Sequence, residues 1–296
     1  MARYLINGMQ GIGDQLLQRP FIKRLVMSGN EVWIQTPIPE FYQDIPNVHF
    51  VRANTTLRTQ KKNESRTQVK YEEVPRDLKL ITKKIFYGIK DLENGSVFAA
   101  GRRQFGVEPV ALDMPHFQLP NKYIPGNIKK LALIRPTTER KEWHNASRGP
   151  LNKHIDEVSK ALQARGYFCI SVADLEPGAE WIPDVEPFAH LKIHKGELSI
   201  TELMALVERA DIVVTGPCLI SQAAFAYRRP TIFLGGGNGG CNHHTKITDP
   251  RIMSLHNCLF VYPDKYCMCY EMKHACNKYI SNVTGKINGW LNAQGL

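Results

Sequence analysis

Residues 211–237, DIVVTGPCLISQAAFAYRRPTIFLGGG, constrain the fold of this chain most strongly. Two short apolar runs, 212–214 and 231–234, flank a Gly-Pro turn and a small-residue stretch at about 221–227. We predict a buried strand, a turn, a short helix and a second buried strand, as in a parallel sheet. The turn and the helix N-terminus would then lie at the carboxyl edge of the sheet, where backbone N–H groups and the helix dipole favour phosphate. A nucleotide site and a plain crossover both fit this pattern.

Strands and helices also alternate in the amino-terminal half. Residues 3–6 predict a strand, and NGMQGIGDQLLQRPFIKRL predicts a glycine-rich turn that opens a helix, with Pro20 near the beginning of that helix. Further strands are predicted at 31–36 and 48–51, and a helix at 78–89. The glycines have neither the spacing of a dinucleotide fingerprint nor the Gly-Lys-Ser/Thr ending of a phosphate loop, so a Rossmann dehydrogenase and an NTPase are disfavoured.

The carboxyl-terminal half repeats the alternation after a proline-rich connection. We predict a strand and loop at 131–138, a helix that carries Ile155, Val158 and Leu162 on one face, and a strand at 167–172. Ser199 and Glu202 form a capping-box pattern ahead of the next helix. The fold class is therefore α/β, with two doubly wound, Rossmann-like domains, residues 1–124 and 125–280, facing each other across a central cleft. The last helix, within residues 281–296, could cross back to the N-terminal domain.

Length and composition indicate the size of the protein, its expected location and the state of its cysteines. A chain of 296 residues with 43% hydrophobic content can bury two cores, and it has no run of 18 apolar residues. The amino terminus resembles a strand more than a signal peptide, so we expect a cytoplasmic protein without a membrane span. Seven cysteines, an odd count, fit reduced thiols better than a disulfide framework.

Positive charge is concentrated in residues 57–90, which hold ten Lys or Arg against four acids, a net +6 of the total +10. Residues 56–71 have little apolar periodicity, so we expect a mobile, solvated loop. This loop could only solvate the surface, or it could hold a phosphate-rich acceptor, either nucleic acid or a phosphorylated glycan. The candidate acceptor-binding residues are Gly11, Gly13, Arg58, Lys61, Lys62 and Arg66.

Four segments together resemble one protein family. They are GIGDQLLQRPFIKRL, RPTTERKEWHN, LKIHKGELSITELMALVERADIVVTG and the Cys-rich ending CMCYEMKHACNKYISNVTGKINGWL. In order and spacing they are similar to the ADP-heptose lipopolysaccharide heptosyltransferases of glycosyltransferase family 9. The resemblance implies the GT-B fold and an inverting sugar transfer, with the acceptor on the N-terminal domain and the donor on the C-terminal domain.

The resemblance and the chemistry select the same catalytic candidates. Transfer from a nucleotide-diphosphate sugar needs a base for the acceptor hydroxyl and a cationic or dipolar site for the departing diphosphate. The resemblance maps the family's catalytic aspartate onto Asp14, which could instead be a helix N-cap. It also maps a diphosphate-neutralising lysine onto Lys141, which could instead be an ordinary surface lysine.

The candidate donor-binding residues surround the carboxyl edge of the second sheet. Many members of the family that this chain resembles have an acidic residue and a histidine in the segment 215–222, whereas this chain has a Pro217-Cys218 turn and has Gln222 near the histidine position. This departure leaves the donor sugar open. The full set is Thr137, Thr138, Thr215, Gly216, Ser221, Gln222, Gly235, Gly236 and Gly237.

We expect no metal and no cofactor besides the nucleotide-diphosphate sugar. The sequence has no Asp-x-Asp motif to hold a divalent ion at a diphosphate, so a metal-independent mechanism is favoured. Cys267, Cys269, His274 and Cys276 offer four soft ligands, but the C-x-C spacing differs from that of a usual zinc knuckle. His243 and His244 could touch the donor or could be solvated loop residues.

The sequence thus predicts a glycosyltransferase that acts on an anionic acceptor, either a lipopolysaccharide-type glycan or a hydroxymethylated DNA base. A DNA base would have to be made accessible by flipping. The alternative is a non-catalytic GT-B-like protein that binds nucleic acid or a nucleotide sugar. The sequence leaves the donor sugar and the oligomeric state open.

Overall fold

The computed structural model describes residues 1–296, with every side chain except that of Asn121. The chain forms two compact units, one of Met1–Pro115 with Ile247–Met253 and one of His116–Lys246 with Ser254–Leu296. The chain therefore changes unit before the predicted boundary near Ile124, and a short later segment returns to the first unit. None of the described helices is both long and apolar enough to cross a bilayer.

The first unit is a four-stranded parallel sheet, with its strands in the order 48–52, 31–36, 3–7 and 81–84. Three of the four strands and the first helix form where the apolar pattern predicts them, and Leu16, Phe21, Ile22 and Leu25 of that helix are buried. The elements are β1 (Arg3–Asn7), α1 (Ile12–Met27), β2 (Glu31–Thr36), a 3-10 turn (Pro39–Tyr42), β3 (Val48–Arg52), α2 (Arg58–Arg66), β4 (Ile81–Lys84), α3 (Ile89–Glu93) and α4 (Val97–Phe105).

Three local predictions in this unit are wrong. The expected loop at 56–71 contains helix α2, because Asn63 is buried and donates to the backbone oxygen of Pro37 (3.0 Å) and to Glu40 (3.2 Å). The expected helix at 78–89 contains strand β4, because this segment pairs with β1 at the edge of the sheet. Pro20 lies in the interior of α1, since that helix begins at Ile12.

The second unit is a six-stranded parallel sheet, with its strands in the order 258–261, 231–234, 212–215, 131–134, 168–172 and 191–193. Residues 139–140 and 180–181 form a separate antiparallel pair. The elements are a 3-10 turn (Asn121–Tyr123), β5 (Leu131–Ile134), β6 (Glu139–Arg140), α5 (Asn152–Ala164), β7 (Phe168–Val172), β8 (Glu180–Trp181), β9 (Leu191–Ile193), α6 (Ile200–Arg209), β10 (Ile212–Thr215), α7 (Leu219–Ala226), β11 (Thr231–Leu234), α8 (Gly239–Asn242), α9 (His244–Ile247), β12 (Cys258–Val261) and α10 (Val283–Gln294).

The order of the central strands brings the predicted donor-binding segments together. Strands β5, β10 and β11 are neighbours, and every residue of all three is buried. Their carboxyl ends lead into the loop at Thr137, the turn at Gly216 and the glycine run at 235–237, so all three predicted donor segments meet at one edge of the sheet. The predicted capping box of α6 is present, with the Ser199 hydroxyl accepting from the Glu202 N–H (3.2 Å).

The last helix packs within the second unit. Ile287 and Leu291 of α10 are fully buried in the core that includes Ile155 and Leu162 of α5. Arg165, at the end of α5, donates to Asn292 (2.7 Å) and to the C-terminal residue. The apolar face of this helix packs in the core of the second unit, and its predicted crossing to the N-terminal domain stays a prediction.

Candidate functional site

Asp14 lies where two parallel strands of the first unit end side by side. Helix α1 begins just after β1, and residues 85–87 follow β4, the neighbour of β1 in the sheet. This arrangement brings the hydroxyl of Tyr87 to Asp14, where it donates a hydrogen bond to Oδ1. The N-cap of α1 is Gly11 and Asp14 lies in the first turn, so the N-cap role considered for Asp14 is wrong. The carboxylate is half-buried.

The loop that carries Asp14 is fixed by glutamine side chains. Gln18 donates to the backbone oxygens of Met9 (3.1 Å) and Asp14 (3.2 Å). Gln60, which is buried on α2, donates to the backbone oxygen of Gln10 (3.1 Å). A β-carbon at Gly11 would overlap the Asp14 carboxylate, which accounts for the glycine there. The segment predicted as a basic arm therefore braces the loop that holds the candidate base.

A small pocket, open to solvent, lies beside Asp14 within the first unit. Tyr87 and Gln18 give it polar atoms, whereas Leu17 and Phe98 make much of the remaining wall apolar. A hydroxyl group of a ligand could reach Asp14 through this pocket.

The two candidate threonines of the donor side already have protein partners. The Thr137 N–H donates to Asn152 (2.8 Å), and its hydroxyl donates to the backbone oxygen of Pro150 (2.8 Å). The Thr138 hydroxyl donates to Glu180 (2.6 Å) and accepts from Arg135 (2.9 Å). These bonds orient the loop, and contact of either threonine with a donor stays a prediction.

Glu180 is a site residue that sequence reasoning missed. Its side chain is 1% exposed and receives Arg135 at 3.4 Å and Arg140 at 3.6 Å. A buried carboxylate needs such partners, because an unpaired charge in the interior is costly. Glu180 thus fixes the basic loop after β5. Glu180 and Arg135 are 45 residues apart in sequence, so a local pattern could not reveal this pairing.

Lys141 lies directly after β6 and has an exposed side chain. Its backbone N–H donates to Ala179 (2.8 Å), which ties the loop to the strand pair β6 and β8. The structure therefore places a cation on a fixed loop at the carboxyl side of β5. A role of Lys141 at a diphosphate stays a prediction.

The turn after β10 is closed by its own side chains. The Ser221 hydroxyl donates to the backbone oxygen of Cys218 (2.7 Å), and the Thr215 hydroxyl donates to the backbone oxygen of Gly216 (3.0 Å). Gln222 is 4% exposed, and its Oε1 has no hydrogen-bond partner among the described atoms. Cys218 and Leu219, at the beginning of α7, are only half-buried, so the accessible part of the turn is the helix N-terminus.

The glycine run is buried, which explains its composition. A β-carbon would overlap the ring of Tyr262 at Gly235, the backbone of Gly149 at Gly236, and the side chain of Cys276 at Gly237. Close packing of three neighbouring segments therefore requires all three glycines. Their direct contact with a donor stays a prediction.

His243 and His244 belong to an aromatic cluster, so their interpretation as solvated loop residues is wrong. Nδ1 of His244 lies 2.6 Å from the hydroxyl of Tyr262, and its ring stacks on Phe260. Burial, with a smaller effect of His243, lowers the pKa of His244 to about 4. His244 is therefore a neutral packing residue near neutral pH.

Four soft ligands converge in the segment between β12 and α10. The ligand atoms of Cys267, Cys269, His274 and Cys276 all lie within 4.8 Å of one another. We expected no metal from the spacing of these residues, but their arrangement can hold a metal ion. We refer to residues 267–276 as the cysteine segment.

The basic residues of α2 differ in their exposure. Lys61 and Arg66 are exposed, Lys62 and Arg58 are half-buried, and Arg52 pairs with Glu64 at 3.7 Å. The structure thus presents these charges from an ordered helix. Their contact with an acceptor stays a prediction.

Comparisons with known proteins support the fold through structure alone. Neither the models of known protein families nor the sequences of characterised proteins match this chain. Among solved structures, the iron-containing dodecameric glycosyltransferase TibC from enterotoxigenic E. coli H10407 has a TM-score of 0.65 at 15% identity, over 100% of this chain and 77% of its own. E. coli ADP-heptose lps heptosyltransferase II has a TM-score of 0.57 at 13% identity, over 100% of both chains.

A third solved structure, the E. coli heptosyltransferase WaaC with ADP, has a TM-score of 0.54 at 13% identity, over 98% of this chain and 99% of its own. These similarities run through both parallel sheets and cover nearly the whole chain. The predicted resemblance to the heptosyltransferases is therefore confirmed in the fold, and this chain is a two-domain α/β protein of the GT-B type.

Proposed function

We propose that this protein is an inverting glycosyltransferase that moves a sugar from a nucleotide-diphosphate sugar to a hydroxyl of an anionic acceptor. One observation carries the proposal: Asp14, in a chain of heptosyltransferase-like fold, lies at the beginning of α1, accepts a hydrogen bond from Tyr87 and borders a pocket. A half-buried carboxylate at such a pocket can act as a general base.

In the proposed reaction, Asp14 accepts the proton of the acceptor hydroxyl as that oxygen attacks the anomeric carbon of the donor. The bond between the anomeric carbon and the phosphate oxygen breaks on the opposite face, and its electron pair leaves with the nucleoside diphosphate. A single displacement of this kind inverts the anomeric centre. Asp14 then returns the proton to solvent.

We infer that the first unit binds the acceptor and the second unit binds the donor. The beginning of α7 offers backbone N–H groups at half-buried residues, and Lys141 adds a cation on a neighbouring loop. Both features suit the charge that develops on a departing diphosphate. The transfer step is proposed without a divalent ion, because the sequence has no Asp-x-Asp motif.

A glycan is the acceptor that we favour. The solved structures of similar fold include a heptosyltransferase described as acting on lipopolysaccharide, and the exposed Lys61 and Arg66 could attract phosphate groups on such a glycan. A hydroxymethylated DNA duplex is the second acceptor to test, because these charges would also attract a phosphate backbone.

The test begins with thermal shift measurements against ADP-, UDP-, GDP- and CMP-sugars. A ligand that binds the native state raises the melting temperature in proportion to the logarithm of its concentration above Kd. The donor so identified is incubated with lipopolysaccharide core fragments or hydroxymethylated duplex, and the products are analysed by mass spectrometry. A donor that binds without transfer to any acceptor would favour the non-catalytic alternative, and the absence of binding by all four classes would contradict the proposal.

A further inference from the structure

The cysteine segment, residues 267–276, has no helix or strand hydrogen bonds to hold its shape. It lies in the stretch between β12 and α10, which is described throughout and forms neither a helix nor a strand. Its path instead brings the side chains of Cys267, Cys269, His274 and Cys276 together. None of the seven cysteines forms a disulfide in the described structure. The convergence of four ligands in an irregular segment therefore needs its own explanation.

The distances match the edges of a metal tetrahedron. Nδ1 of His274 lies 3.4 Å from Sγ of Cys267 and 3.4 Å from Sγ of Cys276, and the Sγ atoms of Cys269 and Cys276 are 3.6 Å apart. With metal bonds of about 2.3 Å to sulfur and about 2.05 Å to nitrogen, a regular tetrahedron has edges of about 3.6 Å between sulfur and nitrogen and about 3.8 Å between sulfurs. A sulfur pair in a disulfide would be about 2.05 Å apart.

We propose that Cys267, Cys269, His274 and Cys276 bind one thiophilic transition-metal ion, Zn²⁺ or iron, as a structural centre. Three thiolates and one imidazole suit these ions and disfavour Mg²⁺ and Ca²⁺, which take oxygen ligands. Binding releases the protons of the three thiols to solvent. Four protein ligands fill a tetrahedral sphere and leave no position for a substrate, so the ion does not take part in the transfer step.

The cysteine segment is bonded to two loops at the carboxyl edge of the second sheet. The N–H groups of Gly239 and Gly240 donate to the backbone oxygens of Cys267 (2.9 Å) and Cys269 (3.1 Å). On the other side, the His274 N–H donates to the Ser147 hydroxyl (2.7 Å). The Ser147 backbone oxygen in turn accepts from the Gly237 N–H (2.8 Å).

Asn238 joins the glycine run to the cysteine segment. It adopts a left-handed backbone conformation (φ 51°), which is uncommon outside glycine, and it is 1% exposed. Its side-chain nitrogen donates to the backbone oxygen of Glu271 in the cysteine segment (3.1 Å). We therefore expect the metal centre to hold the cysteine segment in place, and this segment in turn to hold the glycine run. Loss of the metal should increase the mobility of residues 235–240 and 145–149. The description of these loops as donor loops rests on the proposed function, whereas metal binding does not.

The first experiment measures metal by mass spectrometry in full-length protein produced with zinc and iron supplied. We expect about one ion per chain in the wild type and in Cys241→Ser, a control at a half-buried cysteine outside the four ligands. Cys269→Ser and Cys276→Ser should fall to background. Metal at background in the wild type, or retained by both ligand variants, would overturn the proposal.

A second readout uses only the wild type, in case the ligand variants fail to fold. Removal of the ion by a chelator should make three further thiols reactive, and replacement by Co²⁺ should give the intense visible absorption of a tetrahedral thiolate complex. If the number of reactive thiols is the same with and without the chelator, and Co²⁺ gives no such absorption, the proposed metal site is wrong.

Hydrogen exchange then tests the link to the two loops. After metal removal, the amides of Gly237, Gly239 and Gly240 should exchange at least tenfold faster, while those of α1 in the first unit should not change. Equal exchange with and without metal would overturn the link. These measurements use no sugar nucleotide, so a failure of the proposed transferase activity would leave their result intact, and the reverse also holds.

Discussion

The hydroxyl of Tyr87 donates a hydrogen bond to the carboxylate of Asp14. The two residues are far apart in sequence, and they meet because β1 and β4 are parallel neighbours with carboxyl ends at the same edge. Hydrogen bonding to the charged form of a carboxylate stabilises that form and fixes its orientation. Tyr87 is therefore a positioning residue for the proposed base.

Replacing Tyr87 by Phe removes this bond and leaves the ring. Because the carboxylate loses the donor that fixes its orientation, we expect kcat to fall by about tenfold while KM for the donor is unchanged. The acid limb of the pH–rate profile should move to higher pH, because the carboxylate loses a donor that favours its charged form. Steady-state kinetics between about pH 5 and 9 measure both effects.

Tyr71→Phe is the matched control. The Tyr71 hydroxyl is buried without a hydrogen-bond partner among the described atoms, so its removal breaks no bond to the site. If Tyr87→Phe behaves as Tyr71→Phe does in both kcat and pH profile, Tyr87 does not position Asp14.

Gly236→Ala tests the packing of the glycine run. The new methyl group would overlap the backbone of Gly149, which cannot move away as a side chain end could. We expect a loss of about 1–3 kcal/mol in the free energy of unfolding, measured by urea denaturation. Gly289→Ala is the control: a β-carbon there meets nothing within 4 Å, and in the interior of α10 alanine should stabilise by about 0.5–1 kcal/mol. Equal effects of the two substitutions would contradict the described packing.

The pKa of His244 predicts a loss of stability in mild acid. Burial lowers this pKa to about 4 in the folded chain, whereas an unfolded histidine titrates near about 6.5. The unfolded state therefore binds the proton first, and stability that is present above about pH 6.5 is lost as the pH falls towards 4.

Unfolding at about pH 7 and 5 measures this contribution. Because His244 is only half-buried, we expect it to account for a loss of about 1 kcal/mol between these values, after allowance for solvent screening. In His244→Gln, the loss in free energy of unfolding between these pH values should be smaller by about 1 kcal/mol. In His256→Gln, a control at an exposed histidine, the loss should equal that of the wild type. An unchanged pH dependence in His244→Gln would show that this histidine is not buried in its neutral form.

The charge of α2 predicts salt-dependent acceptor binding. In the variant Lys61→Ala/Lys62→Ala/Arg66→Ala, affinity for an anionic acceptor should fall. For duplex DNA the slope of log K against log salt should decrease by about 2–3. Lys129→Ala/Lys195→Ala, two exposed lysines of the second unit, is the control. An affinity that changes neither with salt concentration nor with the triple substitution would show that α2 is not part of the acceptor site.

The parts of the fold that the sequence predicts best are those with strong local patterns. Strands β10 and β11 are continuous buried runs, and the capping box at Ser199 and Glu202 marks the beginning of α6. Such signals lie within one element, so no distant contact is needed to read them.

Strand β4 was missed because most of its side chains are exposed. It is an edge strand in which Ile81 is exposed, and the apolar residues 78, 81, 85 and 89 are spaced as on a helix. Pairing with β1 decides its conformation, and a local pattern contains no information on that pairing. The same limit concealed Tyr87 as a partner of Asp14.

The cysteine segment shows a second limit of sequence reasoning. The C-x-C pair and the H-x-C pair each differ from a usual zinc knuckle, and they form one cluster only because the chain folds back through bonds to Ser147 and Gly239. Distant segments also pack on the glycine run, which its local sequence does not reveal, and contact of the run with a ligand stays a prediction.

The most direct test of the account compares product formation by the wild type and by Asp14→Asn with the donor identified by thermal shift. We expect turnover to fall by about 10²–10⁴-fold, because a general base is lost, while donor affinity stays within about twofold. Glu73→Gln, the same change at an exposed carboxylate of the first unit, should keep full activity. Turnover in Asp14→Asn equal to that of the wild type would contradict the role of Asp14 and the proposed mechanism.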